Sequence, residues 1–114
     1  MRIQVLADGI ELTDGIRAHA HKRLYYAIGW AGAQVELVQL RVLDLNGPKG
    51  GVDKCCRIRI ELRRGGVVTI EEIQSDMYVA VSRAVDRAGR TLARQLERLR
   101  EHRRERFSGE PVEV

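Results

Sequence analysis

The sequence predicts an α+β fold with the element order β-α-β-β-β-α, in which two helices pack on one face of a four-stranded sheet. Three observations lead to this prediction. Residues 54–63 alternate apolar and charged side chains, which is typical of a strand with one face on a core and the other in water. Residues 81–99 carry apolar side chains at helical spacing. A Gly65-Gly66 pair separates two strand-like segments, as a tight hairpin would.

The first half of the chain predicts a strand, a helix and a second strand. Arg2–Leu6 alternates like a strand, and Val35–Leu45 is rich in Val and Leu. Thr13 is expected to cap a helix over Asp14–Ile28, because its hydroxyl can accept a hydrogen bond from an amide group of the first turn. We expect Ile16, Ala20, Leu24 and Ala27 to form the buried stripe of this helix, with Tyr25, Tyr26 and Trp30 closing its end onto the sheet.

The second half predicts a hairpin and a long closing helix. Asn46–Gly51 is the clearest loop signal. Lys54–Arg63 and Val67–Ile73 are the two strands of the hairpin, and Ser75 or Asp76 is expected to cap the helix that follows. The helical pattern decays beyond His102. We therefore expect one domain over residues 1–102 and a frayed tail over residues 103–114.

The closing helix has two opposite faces. Its apolar residues fall within a stripe roughly 80° wide at 100° per residue, which is typical of a helix packed on a core. Five arginines cluster on the opposite side, spaced so that neighbouring guanidinium groups would lie about 5–6 Å apart. These five residues, Arg83, Arg87, Arg90, Arg94 and Arg98, are called the arginine row below. The apolar stripe comprises Val81, Val85, Ala88, Leu92, Leu96 and Leu99.

Basic charge is concentrated in this helix. The whole chain has a formal net charge of +4. Residues 83–106 contain nine arginines and four acidic residues, a net charge of +5, so the remaining residues together carry −1. Such a distribution is typical of a surface that binds a polyanion.

Composition and motifs exclude several classes of function. No segment approaches the roughly 18 consecutive apolar residues of a membrane span, and the N-terminal segment lacks a signal-peptide pattern, so we expect a cytoplasmic protein. Cys55 and Cys56 would point to opposite faces of a strand, so we expect two reduced cysteines, Cys56 buried and Cys55 half exposed. The sequence offers neither a zinc-ligand set nor a nucleophile paired with a base. We expect no metal, cofactor, small-molecule substrate or enzymatic activity.

Two segments resemble the ribosome hibernation-promoting factor and ribosome-associated inhibitor family. The run Glu11-Leu12-Thr13-Asp14-Gly15-Ile16-Arg17 is similar to the family's start of the first helix. Asp76-Met77-Tyr78 is similar to the opening of the family's closing helix. Along that helix, basic family positions are matched without a gap and an apolar position is matched as well. The matching residues are Arg87, Arg90 and Arg94, with Leu92 at the apolar position.

The resemblance covers about Met1 to Arg100. On the first helix Arg23 matches a basic family position, and Lys22 is added from its neighbourhood. Two features depart from the family pattern. The Asn46–Asp53 loop is longer and richer in Gly than in the best-known members, and the first helix has fewer basic positions.

The resemblance implies a specific activity. Family members bind rRNA of the small ribosomal subunit at the decoding region, where they overlap the tRNA and mRNA sites and silence ribosomes under stress. Long members add a C-terminal dimerisation domain, so this chain resembles the short type. The candidate RNA-binding residues are then the arginine row together with Lys22 and Arg23.

Two other interpretations of these residues stay open. The charged side of an amphipathic helix is often only solvated, although Asp86 is the one acidic residue between Arg83 and Arg94. The alternative function is a protein–protein interaction or regulatory module of the same fold, forming a homodimer through its open sheet face or an edge strand. On the sheet face, Arg57, Arg59 and Arg63 either extend the RNA surface or are ordinary surface charges.

Overall fold

The structure is a computed structural model that describes residues 1–46 and 52–108. Side chains are described for residues 1–46 and 52–102. It has four strands and two α-helices within those residues, in the predicted order. The Gly47–Gly51 part of the predicted loop lies outside the described residues. The strands are β1 (Arg2–Asp8), β2 (Val35–Asp44), β3 (Lys54–Leu62) and β4 (Val67–Gln74), and the helices are α1 (Asp14–Ile28), followed by a 3-10 turn (Gly29–Ala31), and α2 (Met77–Ser108).

The sheet has the spatial order β1-β2-β3-β4. β1 and β2 are parallel. Helix α1 connects them and brings the chain back to the end of the sheet at which β1 begins. The other two pairs are antiparallel. Gly65 and Gly66 both have positive φ angles in the turn between β3 and β4, which confirms the predicted hairpin. Both helices pack on one face of the sheet, so its other face is open.

The start and the buried side of α1 follow from its sequence. The Thr13 hydroxyl accepts a hydrogen bond from the Ile16 amide at 3.1 Å, as expected of the cap. The predicted stripe was wrong at one position. Ala27 is only half-buried, and the fully buried residue of the last turn is Ile28, four residues after Leu24.

The aromatic residues at the end of α1 do not close it onto the sheet, so that prediction was wrong. Tyr25 is 71% exposed, Tyr26 is 73% exposed and Trp30 is 56% exposed. The physical reason is helical spacing. Tyr25 and Tyr26 follow Leu24 by about 100° and 200° around the helix, which turns them away from the side that Leu24 buries.

The cap of α2 is Asp76 rather than Ser75. Its Oδ1 accepts hydrogen bonds from the amides of Tyr78 and Val79 at 2.7 and 3.3 Å. Val81, Val85, Ala88 and Leu92 of the predicted stripe are fully buried.

The apolar stripe of α2 extends beyond the part of the sheet that covers it. Gln95 lies against Gly66 of the β3–β4 turn, which marks the end of the sheet under the helix. Leu96 is half-buried, and Leu99 is 45% exposed, so its predicted burial was wrong. The helical backbone continues to Ser108, and residues 109–114 of the expected tail lie outside the described residues.

The two helices run side by side in the same direction. His19 of α1 is hydrogen-bonded to Ser82 of α2 at 2.7 Å, and Arg23 to Asp86 at 2.8 Å. An advance of four residues along α1 therefore corresponds to an advance of four residues along α2. One turn further, a Cβ at Gly89 would lie 3.1 Å from the carbonyl oxygen of Ala27. The missing side chain therefore lets the two backbones approach closely.

Both cysteines are free and buried, so the expected half-exposure of Cys55 was wrong. Cys55 does lie on the open face, but its strand neighbours Leu43 and Ile73 cover it there. Burial raises the pKa of Cys55 and raises the pKa of Cys56 to about 12. Both side chains therefore stay protonated thiols at neutral pH.

The neighbouring residues Leu24 and Tyr25 provide a test of this packing. We expect Leu24→Ala to lower the free energy of unfolding by about 2–5 kcal/mol, because it leaves a cavity in the core. Tyr25→Ala should change it by less than about 1 kcal/mol, since the ring is largely in water. Urea unfolding measures both, and equal losses would contradict the orientation of α1.

Candidate nucleic-acid interface

The outer surfaces of α1 and α2 form the candidate interface, because the arginine row lies on the side of α2 opposite its buried stripe. Four members of the row are exposed and have no ion pair or hydrogen bond to any other described residue. Their guanidinium groups are available to a ligand in the folded protein. These four residues are Arg83, Arg90, Arg94 and Arg98.

Arg87 differs from the rest of the row. Its Nη1 donates hydrogen bonds to the carboxylate of Glu72 at 2.6 Å and to the backbone oxygen of Glu71 at 2.8 Å. The Glu72 carboxylate is largely buried between α2 and β4, and the hydrogen bond from Arg87 is the main cause that lowers its pKa. Arg87 therefore joins α2 to the edge strand, and part of its charge is neutralised.

The two candidate residues of α1 also differ from each other. Lys22 is exposed and has no ion pair within the described part of the chain. Arg23 forms an ion pair with Asp86 at 2.8 Å. Since Asp86 is the one acidic residue between Arg83 and Arg94, Arg23 neutralises the acid that would otherwise reduce the positive charge of the row.

Four arginines of the open sheet face have carboxylate partners on the same face. Arg41 pairs with Asp8 at 2.6 Å, and Arg57 pairs with Glu71 at 2.6 Å. These pairs are exposed and contribute little to stability, but they cancel charge locally. A similar arrangement holds for two further arginines. These are Arg59, which pairs with Glu61 at 3.3 Å, and Arg63, which pairs with Glu36 at 2.9 Å.

Other kinds of site find little support in the described residues. No group of three or more His, Cys, Asp or Glu side chains among them is placed to hold a metal ion. None of their helices combines the length and hydropathy that crossing a membrane requires.

A hollow of about 510 Å³ lies between the β3–β4 turn and the end of α2, lined by Leu62, Leu96 and Leu99 among others.

Comparison with known proteins decides the family. The model of the sigma 54 modulation protein / S30EA ribosomal protein family matches residues 3–100, most of the chain. The chain belongs to this family. The resemblance drawn from the sequence is thereby confirmed, and membership indicates a ribosome-associated protein of the hibernation or subunit-interface type.

Two solved structures are similar to this S30EA-family chain. The Protein Y N-terminal domain of Thermus thermophilus is 25% identical, with a TM-score of 0.68 over 82% of this chain and 98% of that one. A ribosomal subunit interface protein of Coxiella burnetii has a TM-score of 0.72 at 16% identity, over 85% of this chain and 99% of that one, and its likeness shows the fold alone. A search of curated protein sequences found no match.

The sequence interpretation of this family member missed its exposed aromatic group. Tyr25 and Tyr26 stack edge to face with ring centroids 5.6 Å apart. Trp30 donates a hydrogen bond from Nε1 to the backbone oxygen of Ala27 at 2.7 Å. A usable signal was present, because neither tyrosine fits the four-residue spacing from Ile16 to Ile28.

The contact between Arg87 and Glu72 predicts a pH-dependent effect on stability. Because the pKa of Glu72 is lowered in the folded protein, its pairing stabilises the fold above its ordinary value of 4.5. That contribution is lost as the pH falls through the lowered value. We expect Arg87→Gln to reduce the free energy of unfolding by about 1 kcal/mol at neutral pH and by much less in acid.

Urea unfolding at a series of pH values measures this effect. Arg94→Gln is the matched control, since it removes the same charge from the same helix without breaking a described hydrogen bond. Equal losses in the two variants at neutral pH would show that the Arg87 contact does not stabilise the fold.

Proposed function

We propose that this protein is a hibernation factor that binds small-subunit rRNA through the outer surfaces of α1 and α2. The observation that carries the proposal is the contrast between two sets of arginines. Four arginines of the open sheet face, Arg41, Arg57, Arg59 and Arg63, are paired with carboxylates. Four of the arginine row, in contrast, are exposed and unpaired among the described residues. Unpaired positive charge on a rigid helix is suited to a folded polyanion.

The geometry of α2 favours phosphate contacts. A guanidinium group is planar and can donate two hydrogen bonds to one phosphate, and it also stacks on unpaired bases. The helix places the Cβ atoms of neighbouring members of the row about 5–6 Å apart. Because α2 is held by its buried stripe, little backbone order is lost when these groups bind. Lys22 extends the positive surface onto α1, and Arg23 contributes by neutralising Asp86.

Family membership supports the ribosomal part of the proposal. The solved relatives carry the names Protein Y and ribosomal subunit interface protein. By resemblance, the site on the ribosome is the decoding region, where the bound protein would overlap tRNA and mRNA and hold the ribosome inactive in the cytoplasm. This role is one of binding and requires no catalytic group.

A charge-matched pair of variants tests the proposal. We expect Arg83→Gln/Arg90→Gln/Arg94→Gln to weaken co-sedimentation with purified small subunits by at least about 10-fold, because three phosphate contacts are lost. Arg87 is left unchanged, since its loss would also loosen α2 from β4. The control, Arg41→Gln/Arg57→Gln/Arg59→Gln, removes the same charge from the open sheet face.

The control variant should bind nearly as well as the unmodified protein. If the sheet-face variant loses binding and the helix variant keeps it, the interface lies on the open face instead. If both bind normally, phosphate contacts by arginine do not carry the interaction. Analytical ultracentrifugation of the same proteins tests the homodimer, which should dissociate only in the sheet-face variant if that face forms it.

Salt dependence provides a second, independent prediction. We expect the logarithm of the association constant for rRNA fragments to fall linearly with the logarithm of salt concentration, with a slope of about −0.7 to −0.9 for each phosphate contact. The helix variant should have a slope that is shallower by about two to three. An affinity that stays constant between low and high salt would exclude binding led by phosphates.

A further inference from the structure

The exposed aromatic group at the end of α1 has no role in the core. Tyr26 and Trp30 have more than half of their surface in water. Aromatic rings of this size bury large apolar areas when they pack, so several exposed rings at one end of a helix mark a contact surface. With Tyr25, they form what is called the aromatic patch below.

The aromatic patch adjoins the basic surface already described. Ala27 and Gly89 are in contact, and Tyr26 and Arg90 are the chain neighbours of these two residues. Tyr26 also follows Arg23 by three residues, so it lies next to the side of α1 that contacts α2. Lys22 precedes Tyr26 by four residues and shares its face. The patch is therefore bordered by unpaired positive charge.

The rings of the patch are held in position before any ligand arrives. The hydrogen bond from Trp30 Nε1 to the backbone oxygen of Ala27 fixes the indole. The edge-to-face contact between Tyr25 and Tyr26, with an interplanar angle of 77°, supports the Tyr26 ring. A ring that is fixed in the free protein loses little side-chain entropy when it binds.

We infer that the aromatic patch stacks unpaired RNA bases while the adjacent arginines hold their phosphates. The inference rests on the proposed function and narrows its ligand to RNA with unpaired nucleotides. Stacking on aromatic rings next to a basic surface is a general way to bind single-stranded nucleic acid. A continuous duplex presents its phosphates but keeps its bases stacked inside, so it can engage the arginines without the patch.

Trp30 is the one tryptophan of the chain and provides a direct readout. A short oligouridylate should quench its fluorescence, because a stacked base lies against the indole. A blunt RNA duplex should bind through its phosphates and leave the emission unchanged. Quenching by the duplex as strong as by the oligouridylate would overturn the inference.

Variants separate stacking from phosphate binding. We expect Tyr26→Ala and Trp30→Ala each to weaken the binding of labelled oligouridylate by about 10-fold in fluorescence anisotropy, and to leave duplex binding unchanged. Tyr26→Phe is the matched control and should retain the affinity, because it keeps the ring. Arg90→Gln/Arg94→Gln should weaken the binding of both RNAs. Since both aromatic side chains are mostly exposed, thermal unfolding should show folded variants.

The outcomes distinguish this inference from the proposed function. If the aromatic variants bind oligouridylate as tightly as the unmodified protein while the arginine variant does not, the stacking role is wrong and the proposed function stands. If the unmodified protein binds neither RNA nor small subunits, both fail. If the aromatic variants keep their affinity for RNA but lose co-sedimentation with ribosomes, the patch contacts protein, and the inference is overturned.

Discussion

The packing of the apolar side of α2 on β3 and β4 determines the direction of every charged group on that helix. Val85 and Leu92 are fully buried, and the helix cannot rotate without exposing them. Burying a side chain of this kind contributes about 1.5–3 kcal/mol, far more than one exposed ion pair. Arg90 and Arg94 are directed to solvent because the apolar residues on the other side of the helix are held to the sheet.

Arginine has two different roles in this protein, because the strands and the helices place different residues next to it. On the antiparallel strands, Arg57 lies directly opposite Glu71, and the two side chains meet without any change in the backbone. On α2, the charged residues one turn away from Arg90 are two arginines and Asp86, whose carboxylate is paired with Arg23 of α1. The paired arginines of the sheet face are offset by their carboxylates, and the helix face carries net positive charge.

Most of the fold could be predicted from the sequence, because alternation in the strands and four-residue spacing in the helices are local patterns. The Thr13 cap and the Gly65-Gly66 turn are local signals too. The errors arose where burial depends on distant parts of the chain. Leu99 continues the helical stripe but passes the end of the sheet, and Cys55 lies on an outer face that its neighbours cover.

The candidate site was less predictable for the same reason. The row of arginines is visible in the sequence, but the engagement of Arg87 by Glu72 depends on the position of β4 beside α2. The pairing of Arg23 with Asp86 likewise joins residues far apart in the chain. The exposure of Tyr26 is different, because helical spacing alone predicts it. It was missed because aromatic residues were expected to pack in the core.

The close approach of the helices at Gly89 also limits how the protein can adapt to what it contacts. Packed helices have axes about 8–10 Å apart, and a glycine contact belongs at the short end of that range. A bulkier residue there would wedge the helices apart and change the separation between Lys22 and the arginine row. Because the helices are in contact at Gly89, the basic residues of α1 and those of α2 are held at one fixed separation.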